Sequence, residues 1–181
     1  MGEKKILLIV GASGTGKTSV AERLEQQYGL KSVCSYTTRE KRSDDEYGHI
    51  FVTEEEFDKL DLVGYSEYAG NRYGATAEQI ENNDLWVIDM NGIQYFKDRY
   101  AGEKKPIVIH LVTSLDVHKD FRERYERMIE RGDDIEKAGF RTALDKIEFD
   151  GIDDMSDYTV VNERGKLDET CKKIMQIFAE V

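Results

Sequence analysis

Gly11-Ala12-Ser13-Gly14-Thr15-Gly16-Lys17-Thr18 is the stretch on which the reading of the fold turns. It follows the apolar run Ile6-Leu7-Leu8-Ile9-Val10 and leads into a helical pattern carrying Val20, Ala21, Leu24 and Tyr28. Strand, glycine loop and helix, in that order, are the context in which G-x-x-x-x-G-K-[ST] makes a phosphate cradle. The glycines let backbone N–H groups turn inward with no Cβ in the way. The helix behind them aims the positive end of its dipole at the same point. Lys17 is placed to set a point charge on the β and γ phosphates, and the Thr18 hydroxyl to hold Mg²⁺. A glycine-rich strand–helix connection without a ligand is the plainer alternative, and the flanking pattern argues against it. The stretch therefore implies binding of a nucleoside triphosphate.

The chain has 181 residues, enough for one domain with a core of its own. It is 35% charged, and the charge is spread along the sequence, which implies a solvated surface rather than disorder. A net charge of −11 makes nucleic acid and anionic membranes poor partners. An acidic protein that binds polyphosphate must gather its positive charges locally, so clustered arginines are the feature to look for. Cys34 and Cys171 lie far apart, imply no disulfide framework and fit a reducing, cytoplasmic setting. With a strand expected over residues 4–10, no signal peptide is expected. No apolar run approaches the ~20 residues of a membrane helix.

Along the chain, residues 4–10 read as a buried parallel strand. Residues 16–28 read as a helix stopped by Gly29. Ser32-Val33-Cys34 reads as a second strand, and residues 35–50 are polar without a period, the mark of a functional segment. Thr53 opens a short helix with acids in its first turn, Leu62 to Tyr68 reads as a strand, Gly70-Asn71 as a turn and Thr76 to Asn83 as a helix. The apolar stretch from Asp84 ends in Asp89, where phosphate-loop proteins place an acid near Mg²⁺. Ile107 to Leu111 is a further strand. Thr113 to Asp116 is read as the capping box of a helix whose core stripe is Phe121, Tyr125, Met128 and Ile129. Arg124, Arg127 and Arg131 fall at i, i+3 and i+7 on a neighbouring face, a solvated row or an anion clamp. A further helix carries Arg141, Tyr158 to Val161 is the last strand, and Leu167 to Phe178 the last helix. Strands alternating with helices predict an α/β fold, three layers with a parallel sheet in the middle. The expected layout is a single domain over 1–181. Its core is 1–34, 84–126 and 144–181, with a small acceptor-binding subdomain over 35–83 and a helical lid over 127–143.

The excursions carry a family likeness. Ser35-Tyr36-Thr37-Thr38-Arg39-x-x-Arg42, with Gly48 and Phe51-Val52 after it, resembles the acceptor-binding segment of guanylate kinases. So does Glu67-Tyr68-Ala69-Gly70-Asn71-Arg72-Tyr73-Gly74. Ile88-Asp89-Met90-Asn91-Gly92 is similar to that family's Asp-hydrophobic-Gln-Gly stretch, Arg127-x-x-x-Arg131-Gly132 with Arg141 to its lid, and Val160-Val161-Asn162 to the strand end near the adenine. The likeness runs over nearly the whole chain. It implies that Arg39 and Arg42 clamp the phosphate of a nucleoside monophosphate in planar forks, with Tyr73 bonding the same phosphate. By the same likeness Glu67 accepts the N1–H and 2-amino donors of guanine, Ser35 assists, and Asp89 orients an Mg²⁺-bound water or the acceptor. His49 stands for the family's phosphate-binding tyrosine, Ala75 for a hydroxyl residue against the guanine oxygen, and Val87 where the family often has a further Asp.

The activity implied is Mg²⁺-dependent phosphoryl transfer from ATP to GMP or dGMP. Residues 11–18, Arg131 and Asn162 are expected on the donor, Thr18 on the metal, and Lys17, Arg39, Arg127, Arg131, Arg141 and Asp89 in catalysis. The acceptor phosphate is already an anion, so no general base is needed, and catalysis reduces to positioning and charge neutralisation. Two other readings are a kinase of the same build for another nucleotide or small phosphorylated acceptor, and a non-catalytic binding module. The expected partners are small-molecule nucleotides, with the chain a monomer or homodimer.

Overall fold

Five consecutive side chains, Ile6 to Val10, are fully removed from solvent in the computed structural model, which describes residues 4–41, 48–68 and 70–181. Such a run has no polar face to turn to water, so it forms an interior strand. In chain order the elements are β1 (Lys5–Val10), α1 (Lys17–Tyr28), β2 (Ser35–Thr37), β3 (His49–Phe51), α2 (Glu54–Phe57), β4 (Leu62–Tyr68), β5 (Asn71–Thr76) and α3 (Ala77–Asn82). Then follow β6 (Leu85–Val87), α4 (Met90–Arg99), β7 (Lys105–Val112), α5 (Val117–Glu130), α6 (Ile135–Glu148), α7 (Ile152–Met155), β8 (Tyr158–Val161) and α8 (Leu167–Glu180). The fold is α/β: a parallel central sheet in the order β6-β1-β7-β8 is flanked by helices. A second sheet has the order β3-β2-β5-β4. Among the described residues no helix is long and apolar enough to cross a membrane.

The chain divides into two compact units, Met1–Leu8 with Leu30–Pro106, and Ile9–Gly29 with Ile107–Val181. In the first, β2 pairs parallel with β3 and antiparallel with β5, which pairs antiparallel with β4. Thr53 and Thr76 cap α2 and α3 in complete capping boxes. In the second unit β7 and β8 run parallel, with His110 opposite Thr159 and Leu111 opposite Val160. Helix α1 buries Val20, Ala21 and Leu24, leaves Tyr28 exposed, and ends at Gly29 with φ 70°, the left-handed cap expected of that glycine.

Three local expectations are corrected. Ser32 to Cys34 is not a strand: Ser32 makes a single parallel bridge to Leu85, and the Cys34 carbonyl accepts from the Gln79 side chain at 2.7 Å, so the ladder stops there. The strand begins one residue later, at Ser35. Thr113 does not cap α5; Asp116 does, accepting from the Lys119 N–H. Thr113 instead gives both its N–H and its hydroxyl to Asp120, at 2.7 and 2.8 Å. Finally, of the expected stripe α5 buries only Met128, together with Arg124; Tyr125 and Ile129 are half-buried and Phe121 is 45% exposed. The reason is the ion pairing of Arg124, described below, which fixes the rotation of the helix.

Candidate active site

In the second unit, β1 runs out into the loop that precedes α1. Gly14 and Gly16 sit at φ 83° and 92°, a region closed to most residues. Their neighbours also leave no room for a side chain. A Cβ on Gly14 would lie 2.5 Å from the Arg124 carbonyl oxygen, and one on Gly16 2.6 Å from Nδ2 of Asn162. A Cβ on Gly11 would lie 2.4 Å from the Leu111 carbonyl oxygen. The loop is thus pressed against β7, α5 and the end of β8, and its glycines are steric necessities.

Helix α1 begins with neither a capping side chain nor an acid in its first turn. Helices α4, α5 and α6 of the same chain each carry an Asp cap. The N–H groups and dipole at the start of α1 are therefore left to an anion. Lys17 folds back over the loop, its Nζ donating to the carbonyls of Gly11 at 2.5 Å and Ala12 at 3.1 Å. Thr18 is exposed beside it. No group of three His, Cys, Asp or Glu among the described residues could hold a metal ion alone. An Mg²⁺ carried on nucleotide phosphates needs only one or two protein oxygens, and the Thr18 hydroxyl fits that demand.

The loop is tied down from three sides. The Thr15 carbonyl accepts from Asn162 Nδ2 at 2.8 Å and Arg127 Nη1 at 3.5 Å, while Arg127 Nη2 donates to the Asn162 carbonyl at 2.9 Å. Asn162, expected near an adenine, is thus a brace between β8 and the loop. Ser13 donates its N–H to Asp145 Oδ2 at 2.9 Å, and Arg124 Nη1 reaches that oxygen at 3.0 Å and the Ser13 carbonyl at 3.2 Å. Arg124 also donates from Nε to Asp120 at 2.7 Å. Burial works against the Asp120 carboxylate, yet hydrogen bonds from Thr113 and Arg124 hold it below the usual carboxylate range.

Asp120, Arg124 and Asp145 escaped the sequence reading as site residues, Arg124 being placed on a row that was either solvated or a clamp. A usable signal was present: Ala138, Thr142 and Asp145, at i, i+4 and i+7, form the buried face of α6. Of the other expected arginines, Arg131 makes a two-pronged bond to Asp133, at 2.8 and 2.6 Å, and Arg141 reaches the same carboxylate at 3.4 Å.

In the first unit, the β2-β3-β5 register brings part of the expected acceptor set together. Ser35 pairs with His49, and Ser35 Oγ lies 3.0 Å from His49 Nδ1. The His49 and Tyr73 rings lie 5.7 Å apart, and Tyr73 stands opposite both Thr37 and Ser66. Ala75 is fully buried opposite Gly64. Glu67 is not with them. It stands opposite Arg72, one step along the strand from the Ser66–Tyr73 pair, so alternation puts it on the other face of the sheet. There it accepts from the Tyr65 hydroxyl, beside Arg72, which bonds Glu54 and Asp58 at 2.9 and 2.7 Å. The sequence reading that grouped Glu67 with Ser35 and Tyr73 ignored the period of two.

Arg39 donates to the Glu40 carbonyl at 2.8 Å and lies over the Phe51 ring. Arg42 lies outside the described residues. Asp89 caps α4, accepting the Gly92 N–H at 2.7 Å.

Comparison with known proteins matches residues 3–181 to the family model described as Guanylate kinase. A guanylate kinase of Clostridium acetobutylicum is 32% identical over 167 residues, covering 82% of this chain and 75% of that protein. One of Clostridium tetani is 28% identical over 193 residues, covering 98% and 86%. The crystal structure of guanylate kinase from Anaplasma phagocytophilum superimposes with a TM-score of 0.65 at 22% identity, over 99% of this chain and 87% of that one. At that identity it speaks for the fold.

Proposed function

The chain belongs to the guanylate kinase family and is a nucleotide kinase, and from that premise we propose that it transfers the γ-phosphoryl group of Mg²⁺-bound ATP to GMP or dGMP, giving ADP and GDP or dGDP. The observation that carries this is the loop from Gly11 to Thr18: positive-φ glycines, an uncapped helix start and a lysine folded over the cradle. That combination recognises a polyphosphate and little else.

In this reading the N–H groups of the loop and of α1 receive the donor's phosphates, and Lys17 swings from the loop carbonyls onto them. Thr18 holds Mg²⁺, which supplies neutralisation of the phosphate charge. Arg131 and Arg141 leave Asp133 for the phosphoryl oxygens as charge develops, and Arg127 adds a third cation. On the acceptor side Arg39 and Arg42 take the monophosphate, Tyr73 and His49 lie beside it, and Ser35 meets the base. Asp89 orients water or acceptor. No general base is required.

A second reading, another nucleotide or small phosphorylated acceptor, is favoured by one observation. Glu67 faces away from Ser35, His49 and Tyr73, so the carboxylate expected to match the guanine donors is missing from that face. The two readings part in an ADP-release assay of the purified chain with Mg²⁺ and ATP over GMP, dGMP, AMP, CMP and UMP. Turnover with GMP and dGMP, abolished by chelation of Mg²⁺ and reduced in kcat by Lys17→Ala, is the expected result. Turnover only with other monophosphates moves the assignment to the second reading, and no turnover with any acceptor removes both.

A further inference from the structure

Ser13 has both of its backbone polar groups held by one buried ion pair. Its N–H goes to Asp145 and its carbonyl to Arg124, and these two bond each other at 3.0 Å, closing a ring. Asp145 is 3% exposed and Arg124 6%. Asp120 completes the set through Nε of Arg124. Gly14, the next residue of the loop, lies directly against the α5 backbone at Arg124. Arg124 sits on α5 just before the segment 127–143, and Asp145 on α6 just after it. The pair therefore joins the two helices at the base of the arm that carries Arg127, Arg131 and Arg141.

We propose that Arg124 and Asp145 are positioning residues, a clasp that holds Ser13 and Gly14 in the conformation that receives the donor's phosphates and ties that conformation to the root of the arginine arm. The proposal rests on the donor-site reading above. Neither side chain touches nucleotide; both act through the Ser13 peptide. A buried ion pair is a poor device for stability alone, because well-packed apolar residues of similar volume commonly do as well or better. What apolar residues cannot do is bond the N–H and the carbonyl of one loop residue at once. Folding and positioning should therefore come apart when the pair is replaced as a pair.

The test is the double variant Arg124→Met with Asp145→Leu, beside Asp145→Asn, which keeps an acceptor oxygen for Ser13. The double variant should still fold, with a melting temperature lowered by several degrees because Asp120 loses Arg124 and keeps only its Thr113 bonds. Its KM for ATP should rise about tenfold or more, the loss expected for hydrogen bonds to charged groups, with the acceptor KM moved less than about twofold. Its Ser13 amide should lose protection from hydrogen exchange. Asp145→Asn should fall between the parent and the double variant in both ATP KM and Ser13 exchange. Parental ATP KM together with parental Ser13 exchange in the double variant would overturn the clasp. If that variant does not fold, Asp145→Asn decides by the same two readouts: Ser13 exchange faster than in the parent and an ATP KM raised about two- to threefold support the clasp, and parental values of both overturn it. Were the parent itself to show no ATP turnover, the donor reading would fail, and the exchange measurement would still rule on the clasp separately.

Discussion

Gly14 shows how much rests on one absent side chain. Its φ of 83° alone costs an alanine on the order of 1–2 kcal/mol, and the new Cβ would stand 2.5 Å from the backbone oxygen of Arg124. Gly14→Ala should therefore lower the melting temperature by several degrees and raise the KM for ATP at least about tenfold, measured by thermal denaturation and initial rates. Glu67 makes the opposite point. The sequence supplied a carboxylate at a plausible distance from Tyr73, and the sheet turned it to the wrong side. Glu67→Gln should accordingly change the ratio of kcat/KM for GMP over AMP by less than about twofold. A tenfold fall in that ratio would return Glu67 to the acceptor site.

At the scale of the element, α5 was legible as a helix, and its orientation was not. A count of apolar residues puts Phe121, Tyr125, Met128 and Ile129 inward. The folded helix instead buries Arg124 with Met128, because Arg124 has acids on two sides and the Ser13 carbonyl ahead of it. Pattern reading assigns charged residues to solvent, and it fails where a charge meets buried partners contributed by distant segments. The consequence is measurable. Met128→Ala should cost about 2–5 kcal/mol as a buried truncation, whereas Phe121→Ser, at 45% exposure, should cost under about 1 kcal/mol, both read from denaturant unfolding. Equal costs would mean that α5 is rotated from the orientation described.

For the whole molecule, the response to acid joins strand and helix. His110 on β7 stacks on Phe149, just beyond α6, with Asp153 at 3.8 Å from Nδ1. Burial pushes its imidazole below the ordinary 6.5, and outweighs the pull of Asp153. The unfolded chain then binds a proton that the folded one refuses, so stability rises with pH up to about 6.5 and is lost as pH falls below it. His110→Gln should flatten that part of the profile of melting temperature between about pH 5 and pH 7. An unchanged slope would remove His110 as its source. By itself the sequence determined the alternation of strands and helices, the phosphate loop and the caps at Gly29 and Thr53. These depend on residues close together in the chain, on the steric needs of glycine and on an apolar run with nowhere to go but inside. Only the tertiary structure decided the face on which Glu67 stands, the inward turn of Arg124 and the meeting of Asp145 with Ser13, 132 residues apart. Strand register and helix rotation are set by contacts between segments, and such contacts have no period along the chain.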